Sequence, residues 1–254
     1  MKISIITVCY NSAKTIEDTI KSVLMQTYHD IEYIVIDGAS SDGTCRILGK
    51  YDHRIDIFVS EGDDGIYDAM NKGIRLATGE VVAFLNSDDF YIDEHVIADV
   101  MNIFSISSNA ICYGDLCYVD SVNTKKVFRY WKSGDYQDGA FTLGWSPAHP
   151  SFFVRNDVYK KYGLFDIKIK ISSDIELMYR FLELQKLSSF YLARVMVYMR
   201  SGGQSNQSMR AIFYQNAEII KFMKKTNKRF SILKYILGKL LIRTEQFLAR
   251  PSGK

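Results

Sequence analysis

The sequence predicts an α/β fold: a mostly parallel sheet flanked by helices, followed by a helical C-terminal tail. Three observations lead there. Through the first 90 residues, short apolar runs of strand type alternate with segments of helical period. Such alternation implies right-handed crossovers between parallel strands. Each of the four apolar runs then ends in polar residues, at Tyr10-Asn11, Asp37-Gly38, Ser60-Glu61 and Asn86–Asp89. In open parallel sheets ligands bind beyond the carboxyl ends of the strands.

The elements follow in order. Lys2–Tyr10 is a β-branched run of buried-strand type. Asn11 and Ser12 have the chemistry of helix caps, and Ile16, Ile20, Val23 and Leu24 then recur at helical spacing. Glu32–Asp37 is a second strand, leading through a Gly-Ala-Ser-Ser-Asp-Gly-Thr turn to a short helical stretch at Cys45–Tyr51. Ile55–Ser60 is a third strand, Asp68–Ala77 a helix closed by Gly79, and Glu80–Leu85 a fourth strand. In the second half, Ala110–Val119 and Lys126–Trp131 suit a hairpin. A loop-like stretch, Asp135–His149, precedes a strand at Ser151–Val154 and a helix through Asp157–Tyr162. Ser172 or Ser173 caps a helix from Asp174, Phe190–Met199 is a strand, and Met209–Lys225 and Phe230–Leu248 are helices.

Composition bounds the function. With 47% hydrophobic residues and three prolines, the chain can bury a core and is not a disordered one. Cys9, Cys45, Cys112 and Cys117 show no metal-finger spacing and read as buried thiols of a reducing compartment. No signal peptide and no apolar run of about 18 residues is visible, so the reading is cytoplasmic, without a transmembrane helix. The net charge of +3 is uneven. Residues 221–254 hold ten Lys or Arg against Glu245 alone, which leaves the body net acidic. A basic tail on an acidic body points to an anionic partner for the tail, and not to nucleic acid.

The sharpest chemical feature is Asn86-Ser87-Asp88-Asp89 at the end of a buried strand. Adjacent carboxylates there repel one another and resist desolvation unless a cation compensates. A hard divalent ion with oxygen ligands, Mg²⁺ or Mn²⁺, is the natural partner and would also hold a diphosphate. The plainer reading is a solvated turn ahead of a helix near Asp93.

Four segments now stand in order: Thr7-Val-Cys-Tyr-Asn11, Val35-Ile-Asp-Gly-Ala-Ser-Ser-Asp-Gly-Thr44, Asp64-Gly-Ile-Tyr-Asp-Ala-Met-Asn-Lys-Gly73 and Phe84-Leu-Asn-Ser-Asp-Asp89. The series resembles the family 2 glycosyltransferases, which have the Rossmann-like GT-A fold. It is specific through about residue 90 and looser to about 205. The resemblance implies an inverting, non-processive glycosyltransferase that moves a hexosyl or N-acetylhexosaminyl group from a nucleotide sugar, with UDP-sugar expected. The acceptor would be a lipid-linked or saccharide molecule in surface polysaccharide assembly, such as O-antigen or capsule. It also implies roles. Thr7 and Tyr10 would line the uridine pocket, and Asn11, Asp37 and Asp68 would belong to the donor site, with Asp37 near base or ribose. Asp88 would face ribose or sugar, and Asp89 would hold the metal on the diphosphate.

Two departures stand out. Relatives carry Asp-Asp where this chain has Asp37-Gly38, and Ala-Arg-Asn where it has Ala69-Met70-Asn71. A diphosphate contact is thereby missing, with Lys72 and Arg75 as candidate replacements.

Inverting transfer needs a carboxylate to take the acceptor hydroxyl's proton. The resemblance places that base at Asp174 in Ser172-Ser173-Asp174, with Glu176 second. Trp145 and His149 fall in the acceptor loop, and Gly202–Ser205 in a loop that closes over the donor. The expected organisation is a catalytic domain over 1–220, comprising a nucleotide-sugar half at 1–90 and an acceptor half at 91–220, then a basic amphipathic tail at 221–254. In that tail Phe230, Leu233, Leu237, Leu240, Leu241 and Leu248 share one side, with Lys228, Lys239, Arg243 and Arg250 largely opposite. That pattern suits a helix peripheral on the inner membrane face, or one packed on the domain. A nicotinamide oxidoreductase would need GxGxxG after the first strand, where Cys-Tyr-Asn-Ser stands. A nucleotidyltransferase would need a glycine-rich basic loop there. A catalytically dead binding protein sits poorly with the intact Asp37, Asp88, Asp89 and Asp174.

Overall fold

The computed structural model describes residues 1–202 and 209–249. One sheet organises the chain. Four strands, β1 (Ile3–Cys9), β2 (Ile31–Asp37), β3 (Ile57–Ser60) and β4 (Val81–Phe84), lie parallel in the order β3-β2-β1-β4. They alternate with helices α1 (Ile16–Leu24), α2 (Thr44–Leu48) and α3 (Ile66–Leu76). The pleat sends alternate residues of β1 to opposite faces. Ile3, Ile5 and Cys9 join the core under α1, and Ile6 and Val8 the core under α3. Helix α3 lies so close to β1 that a Cβ on Gly73 would meet Ile6 Cγ2 at 2.5 Å.

The second half makes the sheet mixed. After β5 (Asp89–Tyr91) and α4 (Val96–Ile106), the strands are β6 (Ile111–Val119), β7 (Val127–Trp131), β8 (Phe152–Arg155) and β9 (Ser189–Arg200). Strand β8 joins β4 antiparallel, and β6 carries β8 and then β7 along one edge, both antiparallel. Along its other edge β6 pairs β9 in parallel. So parallel pairing is continuous in the first half, and the hairpin expected at 110–119 and 126–131 is the β6-β7 pair. The short β5 has no counterpart in the sequence reading; three residues are too few for a visible period. It pairs antiparallel with β9, setting Asp89 opposite Met199.

Helices α5 (Asn156–Tyr162), α6 (Ser173–Tyr179), α7 (Met209–Thr226) and α8 (Ile232–Leu248) complete the fold. Helix α6 continues as a π-turn over Arg180–Leu184. Ser172 sits at its cap, but its hydroxyl donates to Glu218 of α7, which also accepts the Lys170, Ile171 and Ser172 amides. Asn11 and Ser12 do not cap α1. Helix α1 starts after Thr15, because Asn11 adopts a left-handed φ of 50° and its side chain is committed to the Ser41 amide.

The basic tail does not leave the body. Ile219, Phe222 and Met223 of α7 and Tyr235 of α8 join the main core. Helix α8 docks through its polar side: Gln246 accepts from Arg129 of β7, and a Cβ on Gly238 would collide with the Leu143 carbonyl. Its leucine side faces outward, with Leu233, Leu237, Leu240, Leu241 and Leu248 all exposed. The stripe that is usually core is here the outer surface.

Two predictions follow from packing and charge. Glu32 is buried and, despite the desolvation that raises its pKa, hydrogen bonds from Ser4, Thr78 and Lys2 bring it down to about 2. Its contribution to stability is therefore present above the unfolded carboxyl range and lost as pH falls through the folded value. Tm measured from pH 6 to pH 2 should fall less steeply for Glu32→Gln than for the parent chain. Gly238→Ala should lift α8 from its seat, and limited proteolysis should then cut between α7 and α8 several-fold faster.

Candidate active site

The carboxyl ends of β1 to β4 form one rim. Asp37 gathers it. Its carboxylate accepts from the Ser40 amide at 3.0 Å and hydroxyl at 2.5 Å, from Ser60 at 2.7 Å and from the Cys45 thiol at 3.2 Å, with Cys9 at 3.5 Å. Burial would raise its pKa, but these donors hold it below the ordinary value. All its lone pairs are taken internally. Asn11 links the same turns, receiving the Ser41 amide and donating its own to Ser40. Tyr10 stands out from this rim, 67% exposed, with its ring against Gly38.

Beyond β4 the chemistry reverses. Asp89 is fully buried, and neither carboxylate oxygen has a partner of hydrogen-bond geometry. Burial first, and the neighbouring Asp88 second, push its pKa well up, opposed only in part by Arg200. Burial raises Asp88 as well. The amide oxygen of Asn86 is also without a partner. Arg200 at the end of β9 donates to the Asp88 carbonyl at 2.9 Å and to Asp18 at 2.5 Å, so its charge is shared with Asp18 and leaves the pair uncompensated. Among the described residues no group of three His, Cys, Asp or Glu could by itself hold a metal. The two orphaned oxygens of Asp89, with Asp88 beside them, still fit a hard cation whose other ligands come from substrate phosphates and water.

The second cluster lies on the acceptor side. Asp174, at the start of α6, accepts a hydrogen bond from Tyr67 of α3 at 3.0 Å. Tyr67 also donates to the Ile171 carbonyl, and burial, then Asp174, drive its pKa far up, so it stays a donor. His149 is buried, stacked on Phe84 at 5.6 Å and edge-on to Phe165. Burial lowers its pKa, with Asp174 opposing, and favours the neutral ring. Trp145 donates its indole N–H to the Ser133 carbonyl at 2.6 Å and packs against Tyr113, Tyr136 and Phe141. Asp174, His149 and Trp145 line one cavity, which extends to Met199, the β9 residue opposite Asp89. The fold thus brings the two acidic clusters to one edge of the sheet.

This geometry can be set beside known proteins. The sequence profile of glycosyl transferase family 2 matches residues 4–163, well over half of the chain. The chain belongs to this family. An uncharacterized glycosyltransferase of Rickettsia typhi is 28% identical over 97% of this chain and 77% of its own length. A Mycobacterium bovis PGL/p-HBAD biosynthesis glycosyltransferase is 28% identical over 80% of this chain and 78% of its own. Among solved structures, Staphylococcus aureus TarS 1-349 in complex with UDP superposes with a TM-score of 0.63 at 19% identity, covering 98% of this chain and 72% of TarS. The Pyrobaculum calidifontis mannosyltransferase PcManGT, in complex with GDP-Man and Mn²⁺, gives 0.66 at 16%, covering 98% and 70%. These likenesses show the GT-A fold.

In this family 2 glycosyltransferase the expected site residues have the following surroundings. Thr7 is fully buried, its hydroxyl on Tyr33 at 3.1 Å, because it sits inside β1 with a strand on each side. It holds the core and does not line a pocket. Asp37, expected near base or ribose, has its carboxylate bonded to the Ser40, Ser60 and Cys45 donors of the rim. Asp68 lies in the first turn of α3, where it accepts the Asp64 amide at 3.2 Å and faces Lys72 at 3.7 Å. Met70 is in the core and Asn71 clamps Phe165 through both its amide and carbonyl groups, so neither offers a diphosphate contact. Lys72 is paired with Glu61, and Arg75 is at the far end of α3. Glu176 is paired with Arg180 at 3.0 Å, which leaves Asp174 the unpaired acid of its helix turn. The Gly202–Ser205 loop lies, beyond Gly202, outside the described residues.

Two residues escaped the sequence reading. Asp63 places Oδ2 at 2.6 Å from where a Cβ on Gly38 would be, and so fills the space of the missing second acid beside Tyr10. Arg200 reaches the Asp88 loop from a strand 112 positions away. Only the position of Arg200 at the end of an apolar run marked it.

Asp89 should act on stability with the opposite sign to Glu32. Its raised pKa gives stability that is complete below the unfolded value and lost as pH rises through the folded one. Asp89→Asn should therefore raise Tm near pH 7.5 without metal, by the equivalent of about 1–3 kcal/mol. The same variant should abolish any Tm increase caused by Mn²⁺ with UDP. A fall in metal-free Tm would contradict the reading of Asp89 as uncompensated.

Proposed function

We propose that this glycosyltransferase transfers one sugar from a nucleotide-sugar donor to a hydroxyl of a lipid-linked or saccharide acceptor, inverting the anomeric carbon. The observation that carries the proposal is the buried Asp89, both of whose carboxylate oxygens lack a partner, beside Asp88, with Asp174 lining a cavity that reaches Met199, the residue opposite Asp89. The division of labour is a donor half over 1–90, an acceptor half over 91–220, and a basic segment over 221–254 that closes the acceptor side.

Each group has a task. Tyr10 offers an exposed ring for the base, and Asp63 supplies beside it the carboxylate that position 38 lacks. Asn11 and Asp37 fix the turns on which Tyr10 stands, and Asp68 fixes the Asp64-Gly65 turn. Asp88 and Asp89 would hold Mg²⁺ or Mn²⁺, whose charge would stabilise the departing nucleoside diphosphate. Asp174 takes the proton of the attacking hydroxyl. Tyr67 orients that carboxylate, and neutral His149 and Trp145 wall the pocket with apolar surface suited to a sugar face. UDP is the favoured nucleotide; TarS is in complex with UDP, whereas PcManGT is in complex with GDP-Man. A thermal-shift panel of UDP, GDP, dTDP and CMP should show Mn²⁺-dependent stabilisation by UDP alone. Asp174→Asn should keep that shift and lower turnover by about 10²–10⁴. Near-parental turnover in this variant would dismiss Asp174 as the base.

The outward leucines of α8 support work at an anionic membrane surface on the inner, cytoplasmic face. They are flanked by exposed Lys224, Lys225, Lys228, Arg229 and Lys234. No helix among the described residues is long and apolar enough to cross a membrane. Charged lipids and an apolar face together give such a helix its affinity. Leu237→Glu/Leu241→Glu should stop co-flotation with anionic vesicles while leaving the fold intact, since neither residue is buried. Equal flotation of variant and parent would remove the membrane from the proposal.

A further inference from the structure

The cavity that holds Asp174 has a second wall, and its charge is opposite. Arg129 of β7 and Lys239 and Arg243 of α8 line it together. Among the described residues none of the three has a carboxylate partner. Arg129 donates to the neutral oxygen of Gln246 and lies over the rings of Tyr118 and Trp131. Lys239 donates to Asn216 at 2.8 Å and Tyr235 at 2.9 Å, again neutral oxygens. Arg243 makes no hydrogen bond or ion pair among the described residues, and no acid lies within 4 Å of any of the three. Arg129 is buried, and Lys239 and Arg243 are half-buried.

Three cations gathered without an anion are costly, for the same reason as two carboxylates without a cation. The strain shows in their proton affinities. Burial first, then repulsion from Arg243 and Arg129, bring Lys239 down to about 7, although Asp174 pulls the other way. Burial lowers Arg129 too, with Arg243 adding to the drop. A cluster so disposed is relieved by a multiply charged anion, and Arg with Lys is the usual pairing for phosphate. The cavity, about 110 Å³, has room for several water-sized groups and so for a phosphate.

We infer that Arg129, Lys239 and Arg243 form a phosphate or diphosphate subsite for the acceptor, which holds a phosphorylated sugar so that its free hydroxyl lies at Asp174. This deepens the glycosyltransferase proposal and rests on it. Position argues for the acceptor over the donor. The cations come from β7 and α8, in the acceptor half and the basic tail, whereas the donor rim is built by β1 to β4 and the Asp88 loop. Position also links the subsite to the outer leucines. The helix that turns Lys239 and Arg243 inward is the one that turns Leu237, Leu240 and Leu241 outward. One helix thus offers a seat for an anionic headgroup and an apolar face for the chain attached to it.

The test uses the full chain and EDTA, so that no divalent ion can draw a diphosphate to Asp88 and Asp89. Binding of inorganic pyrophosphate is measured by calorimetry for the parent, for Asp89→Asn, for Arg243→Gln, and for Lys239→Gln/Arg243→Gln. The expected result is binding by the parent and by Asp89→Asn alike, with a loss of at least tenfold in the single or double subsite variant. UDP binding with Mn²⁺ should be unchanged in both subsite variants. Arg243→Gln guards against misfolding in the double variant, since Arg243 makes no hydrogen bond or ion pair among the described residues. Equal pyrophosphate affinity in parent and subsite variants would overturn the inference. So would loss of Mn²⁺-dependent UDP binding in the subsite variants, which would assign the cations to the donor. Absence of UDP binding in the parent would instead count against the nucleotide-sugar proposal, and is read separately. Farnesyl diphosphate in the same titration distinguishes the source: tenfold tighter binding than pyrophosphate supports the subsite with a lipid diphosphate as occupant, and equal binding supports it with a soluble sugar phosphate.

Discussion

The carboxylate of Asp37 takes hydrogen bonds from Ser40, Ser60 and Cys45 and a longer contact from Cys9, and so ties the ends of β1, β2 and β3 into one rim. A buried carboxylate tolerates its surroundings only when enough donors replace the water it has lost. Here they come from strands β1 and β3, the turn at Ser40 and helix α2, which fixes the spacing of everything the rim presents. Tyr10 can stand exposed because the turn beneath it is held by Asn11, Ser40 and Asp42.

Asp89 stands at the start of β5, beyond the turn that follows β4, and neither of its carboxylate oxygens has a partner of hydrogen-bond geometry. The contrast separates structure from chemistry within a single residue type. Where the chain saturates an acid, the acid holds loops together; where the chain leaves it bare, energy is stored for a ligand to release. The same contrast recurs on the acceptor side. Glu176 and Glu183 are matched by Arg180, Gly139 and Tyr136, while Asp174 keeps only the Tyr67 hydroxyl. The cations of β7 and α8 complete the pattern with the opposite sign.

The two halves of the molecule are joined through β9. It pairs with β6 as far as Arg200 and, along its other edge, sets Val197–Met199 against β5, while Arg200 reaches the Asp88 loop. A displacement of β9 would therefore reach both the donor acids and the cavity of Asp174. Helix α8 plays a similar part at the outer edge, because its close seat on Leu143 and its bonds to Arg129 make it part of the wall.

The sequence by itself determined the parallel half of the sheet, the glycosyltransferase family, and the presence of a paired acid at the end of β4. Those features are local: strand period, turn chemistry and adjacent residues are written in consecutive positions. It also placed Asp174 at a helix start and found both faces of α8. What it could not supply was direction. Thr7 and Asp37 carry the same polar groups whether they point into a pocket or into a core, and only the strands packed on each side decide. Asp63 replaces the missing acid at position 38 from another loop, and Arg200 approaches Asp88 across 112 residues, so no spacing rule could bring them together. The tail was decided last, and against the usual rule: its leucines face out, while Lys239 and Arg243 face in. Gly238 permits the close approach, and the cavity beside Asp174 gives Lys239 and Arg243 somewhere to point.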